Sequence, residues 1–381
     1  MKTILMNRRS CLRSAGALAL AGLGAPAFAQ SGNRIVIGQS AALTGPAGAL
    51  GEQFKFGAQL FFDRTNARGG INGRQIELRS LDDGYEPERC AANTRKLIDG
   101  GAFALFGYIG TPTSLAALPL INAAKIPFVA PFTGAESLRT PFNRYAFHVR
   151  ASYFDETAEI VKQVTAVGIR RIGVFYQDDS YGKAGLEGVN RALKPLGLEP
   201  AGLGTVARNT VDVDAAVKAI LAQSPAAIVL ISAYRSCAAF IRAARKAGFT
   251  GTLYNVSFVG TQALAKELGA DARSVAVSQV MPYPYAATTA LAGEYLAAGR
   301  AAQPAFEPNY GSIEGFVAAK TLVEGLRRPG GSGSVDGLIA GLESLREYNL
   351  GGFFVDFSAT KHNGSKYVDM TILTEDGRVR R

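Results

Sequence analysis

Two short hydroxyl-bearing segments are the residues best suited to chemistry in this 381-residue chain. Thr111-Pro112-Thr113-Ser114 follows an apolar run, Ala102 to Gly107, and leads into the helical pattern Leu115 to Ala124. Thr111 reads as a helix N-cap with Pro112 at the first helical position. The N–H groups of Thr113 and Ser114 are then expected to be unpaired and, with the hydroxyls, to form a neutral cradle for a carboxylate. Pro131-Phe132-Thr133-Gly134 ends the next apolar run, Pro127 to Ala130, and adds a second hydroxyl from a neighbouring loop. Ligands of open α/β sheets lie outside the carboxyl ends of the strands, so two such loops on adjacent strands define a candidate binding site.

Signals for catalysis are weak. There is no Gly-x-Ser-x-Gly elbow and no Gly-x-x-x-x-Gly-Lys-Ser/Thr loop. His148 and His362 are expected to be structural or surface residues, and Cys90 and Cys237 to be separate, buried, unpaired thiols with no metal-ligand spacing around them. Gly45-Pro46-Ala47-Gly48-Ala49-Leu50-Gly51 lacks dinucleotide-loop spacing and reads as a turn feeding a helix. Asp82-Asp83 and Asp178-Asp179 each follow a strand and precede a helix, where carboxylates cap and close turns.

The elements that must position these groups alternate strand and helix. Short β-rich runs at Arg34–Gly38, Gln75–Leu81, Ala102–Gly107 and Pro127–Ala130 are separated by helical patterns at Gln53–Asn66, Glu88–Ile98 and Thr113–Ala124. The grammar restarts after Arg150, with helices at Phe154–Val167, Gly182–Leu193, Val213–Ala222 and Ser236–Ala247. Its strands fall at Arg171–Tyr176, Ala226–Ser232, Thr252–Asn255 and Val275–Val280. The fold class is therefore α/β: two Rossmann-like lobes with parallel sheets covered on both faces. Long helices at Ala286–Ala298 and Ile313–Leu326 are expected to return to the first lobe. A short helix follows at Val335–Leu345, and strands around Phe353–Phe357 and Tyr367–Leu373 are expected to complete the second. This implies three crossovers, near Arg150, Met281 and Leu350, with residues 30–150 and 281–350 in lobe 1 and residues 151–280 and 351–381 in lobe 2.

An apolar content of 48% supports large interiors, and the length suits two domains. The net charge of +10 is scattered, with no Lys/Arg run and no aromatic interleaving, which excludes a nucleic-acid binder. Residues 1–29 carry Lys2, Arg8, Arg9 and Arg13, then an apolar stretch and Ala27-Phe28-Ala29, the pattern of a secretory signal peptide cleaved near Ala29. Asn7-Arg8-Arg9-Ser10-Cys11 also resembles a twin-arginine signal, so either export route is open and a periplasmic location is expected.

Several segments together resemble the leucine/isoleucine/valine-type periplasmic solute-binding proteins of ABC importers. They are Ile35 through Pro46, Asn66 through Arg74 with its Gly-Gly-Ile-Asn-Gly core, Asp82-Asp83, Gly107 through Ser114, Ile126-Pro127 and Tyr181-Gly182. The resemblance implies the type I periplasmic binding protein fold, a ligand cleft between the lobes, no cofactor, and delivery of an unaltered ligand to an inner-membrane ABC permease by a monomer. It implies that Thr111 binds the ligand carboxylate and that the Thr133-Gly134 segment sits in the second carboxylate/amino loop, with Tyr181 and Tyr234 closing from lobe 2. Tyr310 lines the side-chain pocket, and Leu50 stands where the family often has an aromatic. Ser257 aligns where amino-acid binders place an acid. The ligand is therefore either a carboxylate without an α-amino group or one whose ammonium meets Asp178 or Asp179. The family's disulfide is absent, with Tyr85 and Gly110 near its positions. A periplasmic sensor presenting its ligand to a signalling receptor is the alternative reading.

Overall fold

The computed structural model describes residues 34–303 and 305–381, so the expected signal peptide lies outside the described residues. Residues Ile35–Arg381 form one unit, built on two parallel-rich sheets. The first begins with β1 (Arg34–Ala41), α1 (Gly48–Ala67), β2 (Gln75–Asp82) and α2 (Pro87–Asp99). It continues with β3 (Ala104–Phe106), α3 (Thr111–Ala124), β4 (Phe128–Val129) and β5 (Ala146–Phe147). Its strand order is β2-β1-β3-β4-β5. β1 is buried along nearly its whole length, as a central parallel strand covered on both faces must be. One face of this sheet carries a satellite core in which Cys90, Leu97, Tyr108, Ile121 and Phe128 pack together.

The chain then builds the second sheet. It runs through α4 (Tyr153–Ala166), β6 (Ile172–Gln177), α5 (Ser180–Leu193), β7 (Gly202–Val206), α6 (Asp214–Leu221) and β8 (Ala227–Ile231). α7 (Tyr234–Lys246), β9 (Thr252–Asn255), α8 (Thr261–Leu268) and β10 (Val275–Gln279) follow. α4 starts with a capping box, in which the Ser152 hydroxyl accepts from Asp155 N and the Asp155 carboxylate accepts from Ser152 N. α5 is capped by Asp179, whose carboxylate accepts from Tyr181 N at 2.9 Å, the role expected of the acidic pair.

The next helices are α9 (Ala290–Ala302), α10 (Tyr310–Arg327) and α11 (Val335–Glu343). α10 lies against α1 backbone to backbone. A Cβ at Gly57 would stand 1.7 Å from Ser312 O, and one at Gly315 would stand 1.9 Å from Phe54 O. This contact sets α10 beside α1, the helix that follows β1. The last strands are β11 (Tyr348–Asn349), β12 (Phe354–Val355), β13 (Asp369–Leu373) and β14 (Val379–Arg380). The second sheet has the order β14-β13-β10-β9-β8-β6-β7, with β13 antiparallel to β10. β12 departs from expectation. It pairs only with β11, in a separate two-stranded ribbon, and β13 and β14 alone extend the second sheet. The sequence reading also missed β7, a Gly-containing edge strand with every second residue exposed, and α8, which spans only two turns.

Gly110 has φ +100°, and a Cβ there would lie 2.2 Å from the Tyr85 ring, which covers the glycine. Gly110→Ala is expected to destabilise the protein by about 2 kcal/mol through the disfavoured backbone and the displaced ring. Urea denaturation midpoints would show it, and an unchanged midpoint would contradict it.

Candidate functional site

The loops after β3 and β4 run side by side. Gly110 N donates to Phe132 O at 3.2 Å and Phe132 N to Tyr108 O at 2.8 Å, and Ile109 and Phe132 form a parallel bridge. This pairing carries the Thr111 and Thr133 hydroxyl oxygens to 2.6 Å from each other, with both residues buried. The Tyr153 hydroxyl lies 3.3 Å from Thr133 Oγ1.

The cradle itself differs from expectation. The N-cap of α3 is Gly110, not Thr111. Ser114 N is not free, because it donates to Gly110 O at 3.2 Å. The Thr113 hydroxyl donates to Ile109 O and, at 3.0 Å, to Gly110 O, so it is used by the backbone. The helix starts one residue earlier because Gly110 alone in this segment adopts a positive φ without strain. Thr111 and Thr133 remain as the hydroxyl pair, and Ser114 Oγ is buried with no hydrogen-bond partner. Gly134 holds the second loop against α4, its carbonyl accepting from Tyr153 N at 2.8 Å.

From the second sheet, Tyr181 enters at the first turn of α5 and is fully buried, its hydroxyl without a hydrogen-bond partner. Its ring lies 5.3 Å from that of Tyr153 and 4.5 Å from that of Phe258. Phe258 in turn meets Phe132 at 5.6 Å and Tyr85 at 5.9 Å. These rings join elements that belong to the two sheets. Burial pushes the Tyr181 and Tyr85 hydroxyl pKa values well up, so neither ionises at neutral pH.

A charged group that the sequence reading did not single out stands in the middle. Arg150 is 1% exposed. Its Nη2 donates to Ser257 Oγ, and its guanidinium carbon lies 4.7 Å from the Phe132 ring centroid. Nη2 is 3.7 Å from Glu156 Oε1, and Nε is 3.5 Å from Glu314 Oε1. Neither Nε nor Nη1 makes a hydrogen bond. Glu156 Oε2 accepts from Ser257 N at 2.7 Å and from the Ser278 hydroxyl at 2.6 Å. Burial raises the carboxyl pKa of Glu156, against the pull of Arg150 and these donors. Burial likewise pushes Glu314 up to about 7, with Arg150 opposing and Glu156 reinforcing.

Leu50, Phe132, Ser257, Tyr310 and Glu314 line a cavity of about 10 Å³, room for about one water. The Tyr310 hydroxyl there is buried with no hydrogen-bond partner. Tyr234 lies apart, in a neighbouring groove with Gln53, Ala263 and Lys266. Asp178 and Asp179 do not reach the cluster, because Asp178 is exposed and paired with Lys183 while Asp179 caps α5 and meets Arg208. Both histidines are buried structural groups. His148 Nε2 contacts Leu138 O, and His362 stacks on Phe147. Cys90 and Cys237 are free and buried. Among the described residues no group of metal-ligating side chains is found, and no helix is long and apolar enough to cross a membrane.

Polar contacts also cross between the sheets at the rim. Arg208 Nη2 meets Glu86 at 3.0 Å, Asn209 Nδ2 meets Glu86 at 2.7 Å, and Gln177 Nε2 donates to the Tyr85 hydroxyl at 3.2 Å. Arg139 braces the segment leaving the first sheet. Its Nη2 donates to Arg150 O at 3.1 Å and its Nη1 to Asn363 at 3.2 Å.

Two parallel-rich sheets meeting over polar groups at strand carboxyl ends describe a two-lobed solute-binding fold. The chain belongs to the periplasmic binding protein family, which matches over residues 34–378. A solved structure of a possible leucine/isoleucine/valine-binding protein from Rhodopirellula baltica SH 1 superposes with a TM-score of 0.87 at 32% identity, covering 90% of this chain and 95% of that one. A substrate-binding periplasmic protein from Ralstonia solanacearum gives 0.85 at 33% identity, over 91% and 99%. An amino acid binding protein of Pseudomonas aeruginosa is 25% identical over 239 residues, 62% of this chain and 63% of that protein. The match to this curated relative therefore spans somewhat less than two thirds of its length.

Proposed function

We propose that this chain is the extracytoplasmic substrate-binding protein of an ABC importer, exported to the periplasm, that captures a small carboxylate-bearing ligand between its lobes. The observation that carries the reading is the Thr111–Thr133 hydroxyl pair, linked through Tyr153 and Phe132 to buried polar atoms lacking hydrogen bonds on Tyr181, Arg150 and Glu156. Buried polar groups are nearly always paired, so such a cluster marks a place where a polar guest completes the bonding. The names of similar proteins, an amino acid binding protein and a possible leucine/isoleucine/valine-binding protein, support a carboxylate as the guest.

A cavity of about 10 Å³ is far smaller than such a ligand. Entry therefore requires the lobes, residues 30–150 with 281–350 and residues 151–280 with 351–381, to part about their crossovers. Closure then seals the ligand beneath Tyr181. Tyr234 acts at the mouth and not on the ligand carboxylate. The captured ligand passes unaltered to a membrane permease.

A thermal-shift screen of amino acids, aromatic acids and aliphatic acids tests the reading. A ligand at 100 times its Kd adds about 2.7 kcal/mol of stability, and silence across all three classes would overturn it. Thr111→Ala is expected to weaken binding of the hit by about 1.5–3 kcal/mol, the range for a hydrogen bond to a charged group. Calorimetric titration would measure this, and unchanged affinity would remove Thr111 from the site.

A further inference from the structure

Arg150 brings a fixed positive charge to the place where the two hydroxyl loops and the second sheet meet. Its guanidinium lies over Phe132, the residue before Thr133, and donates to Ser257 on the far side. Two buried carboxylates stand at 3.5 and 3.7 Å from it. One oxygen of Glu156 is already held by Ser257 N and the Ser278 hydroxyl, and its other oxygen faces Arg150. Glu314 faces the same guanidinium. The two local carboxylates therefore share a single cation of the protein itself. Nε and Nη1 still lack hydrogen bonds, as does Glu156 Oε1, so the centre holds unused guanidinium donors and one unused carboxylate oxygen that already faces Arg150.

We infer that Arg150 makes this site selective for carboxylic acids that carry no ammonium group, with an apolar or aromatic body against Phe132, Tyr153, Tyr181 and Phe258. The inference rests on the carboxylate-capture reading above and narrows it. A ligand ammonium entering here meets a guanidinium of the same sign within a few ångströms, in an interior that screens charge poorly. It also finds the neighbouring acids already facing that guanidinium. A ligand carboxylate meets the Thr111–Thr133 hydroxyl pair and the unused Arg150 N–H groups. A charge-assisted hydrogen bond from a guanidinium N–H to a carboxylate is about twice as strong as a neutral one.

The test uses pairs that differ only in the amine: 3-phenylpropanoate against phenylalanine, and 4-methylpentanoate against leucine. Each is titrated calorimetrically into the wild-type protein. The desamino acid of at least one pair is expected to bind ten-fold or more tightly than its amino acid. An amino acid that binds as well as or better than its partner in both pairs overturns the selectivity while leaving carboxylate capture standing. No binding by any of the four overturns the selectivity as well. In that case the separate thermal-shift screen decides whether carboxylate capture falls with it. Arg150→Met is expected to bring the two affinities of the responding pair within about three-fold. Arg150→Lys keeps the charge, and so the preference, if the methionine variant does not fold. A preference that survives Arg150→Met, or is lost in a folded Arg150→Lys protein, assigns the selectivity elsewhere and overturns the proposal.

Discussion

Glu156→Leu lowers the folding stability of the ligand-free protein by about 3–5 kcal/mol, the range for removing one partner of a buried ion pair. Glu156 is fully buried, and its loss leaves Ser257 N without an acceptor, the Ser278 hydroxyl with only Asn255 O at 3.3 Å, and Glu314 as the one acid beside Arg150. Glu314 is a poor substitute, because burial opposes its ionisation and it approaches Arg150 only to 3.5 Å. The quantity to measure is the shift in denaturant midpoint at pH 7.5 without ligand. The double variant Arg150→Met, Glu156→Leu separates the causes. If the uncompensated charge dominates, the double variant loses less stability than the sum of the single variants, by about 0.5–3 kcal/mol. A loss below about 1 kcal/mol for Glu156→Leu alone would show that water reaches this pair and that the site is not dry.

The hydroxyl pair was legible in the sequence and the charged triad was not, for a physical reason. Thr111 and Thr133 each follow an apolar run at the end of a strand, and adjacent parallel strands place such loops together by topology alone. Arg150, Glu156 and Glu314 are brought together by the packing of α4 and α10 around a crossover, and no local pattern encodes that contact. A partial signal did exist. Glu156 lies three residues after Tyr153 and four before Ile160, both buried, so helical spacing puts it on the apolar stripe of α4. Glu314 sits between Ile313 and Gly315 in a helix that is buried almost all round. An acid on a buried stripe needs a cation, and the arginine at the lobe boundary was available to supply it.

The same reasoning separates the tyrosines. Tyr181 and Tyr234 both occupy the first turn of a helix after a parallel strand, and the family resemblance implied like roles for them. Only Tyr181 joins the cluster of rings. Tyr234 opens a helix one strand further along the sheet, and its ring lies in the neighbouring groove. The start of α3 shows how a cap can be misread by one residue. Threonine is a good N-cap, but the Gly110 backbone at φ +100° and the Phe132 bridge set the boundary first. The Thr111 side chain is thereby freed to face Thr133.

Affinity for an anionic ligand is expected to fall as pH rises through 7, approaching about tenfold per pH unit at the alkaline limit if one proton must be taken up. The group responsible is Glu314, raised from its ordinary 4.5 to about 7. Below that value it is neutral and adds no charge beside Arg150 and Glu156. Above it Glu314 adds one negative charge to the centre, and a carboxylate ligand has to bring a proton with it. The charged groups acting on Glu314 are Arg150 and Glu156. Tyr310 shares its cavity, but burial raises that hydroxyl far above this range, and burial keeps His148 and His362 neutral by pushing both down. Calorimetry between pH 6 and 9, in buffers of different ionisation heat, gives both the affinity and the proton count. Uptake approaching one proton is expected above pH 7.5, and Glu314→Gln should flatten the profile at the tight, low-pH level. The same raised pKa means that the folded protein binds this proton more strongly than the unfolded chain does. The Glu314 contribution to stability therefore declines from pH 4.5 to 7 and is constant above. A wild-type profile that is flat, or that rises with pH, would show that the ligand carboxylate does not sense Glu314 and lies elsewhere in the cleft.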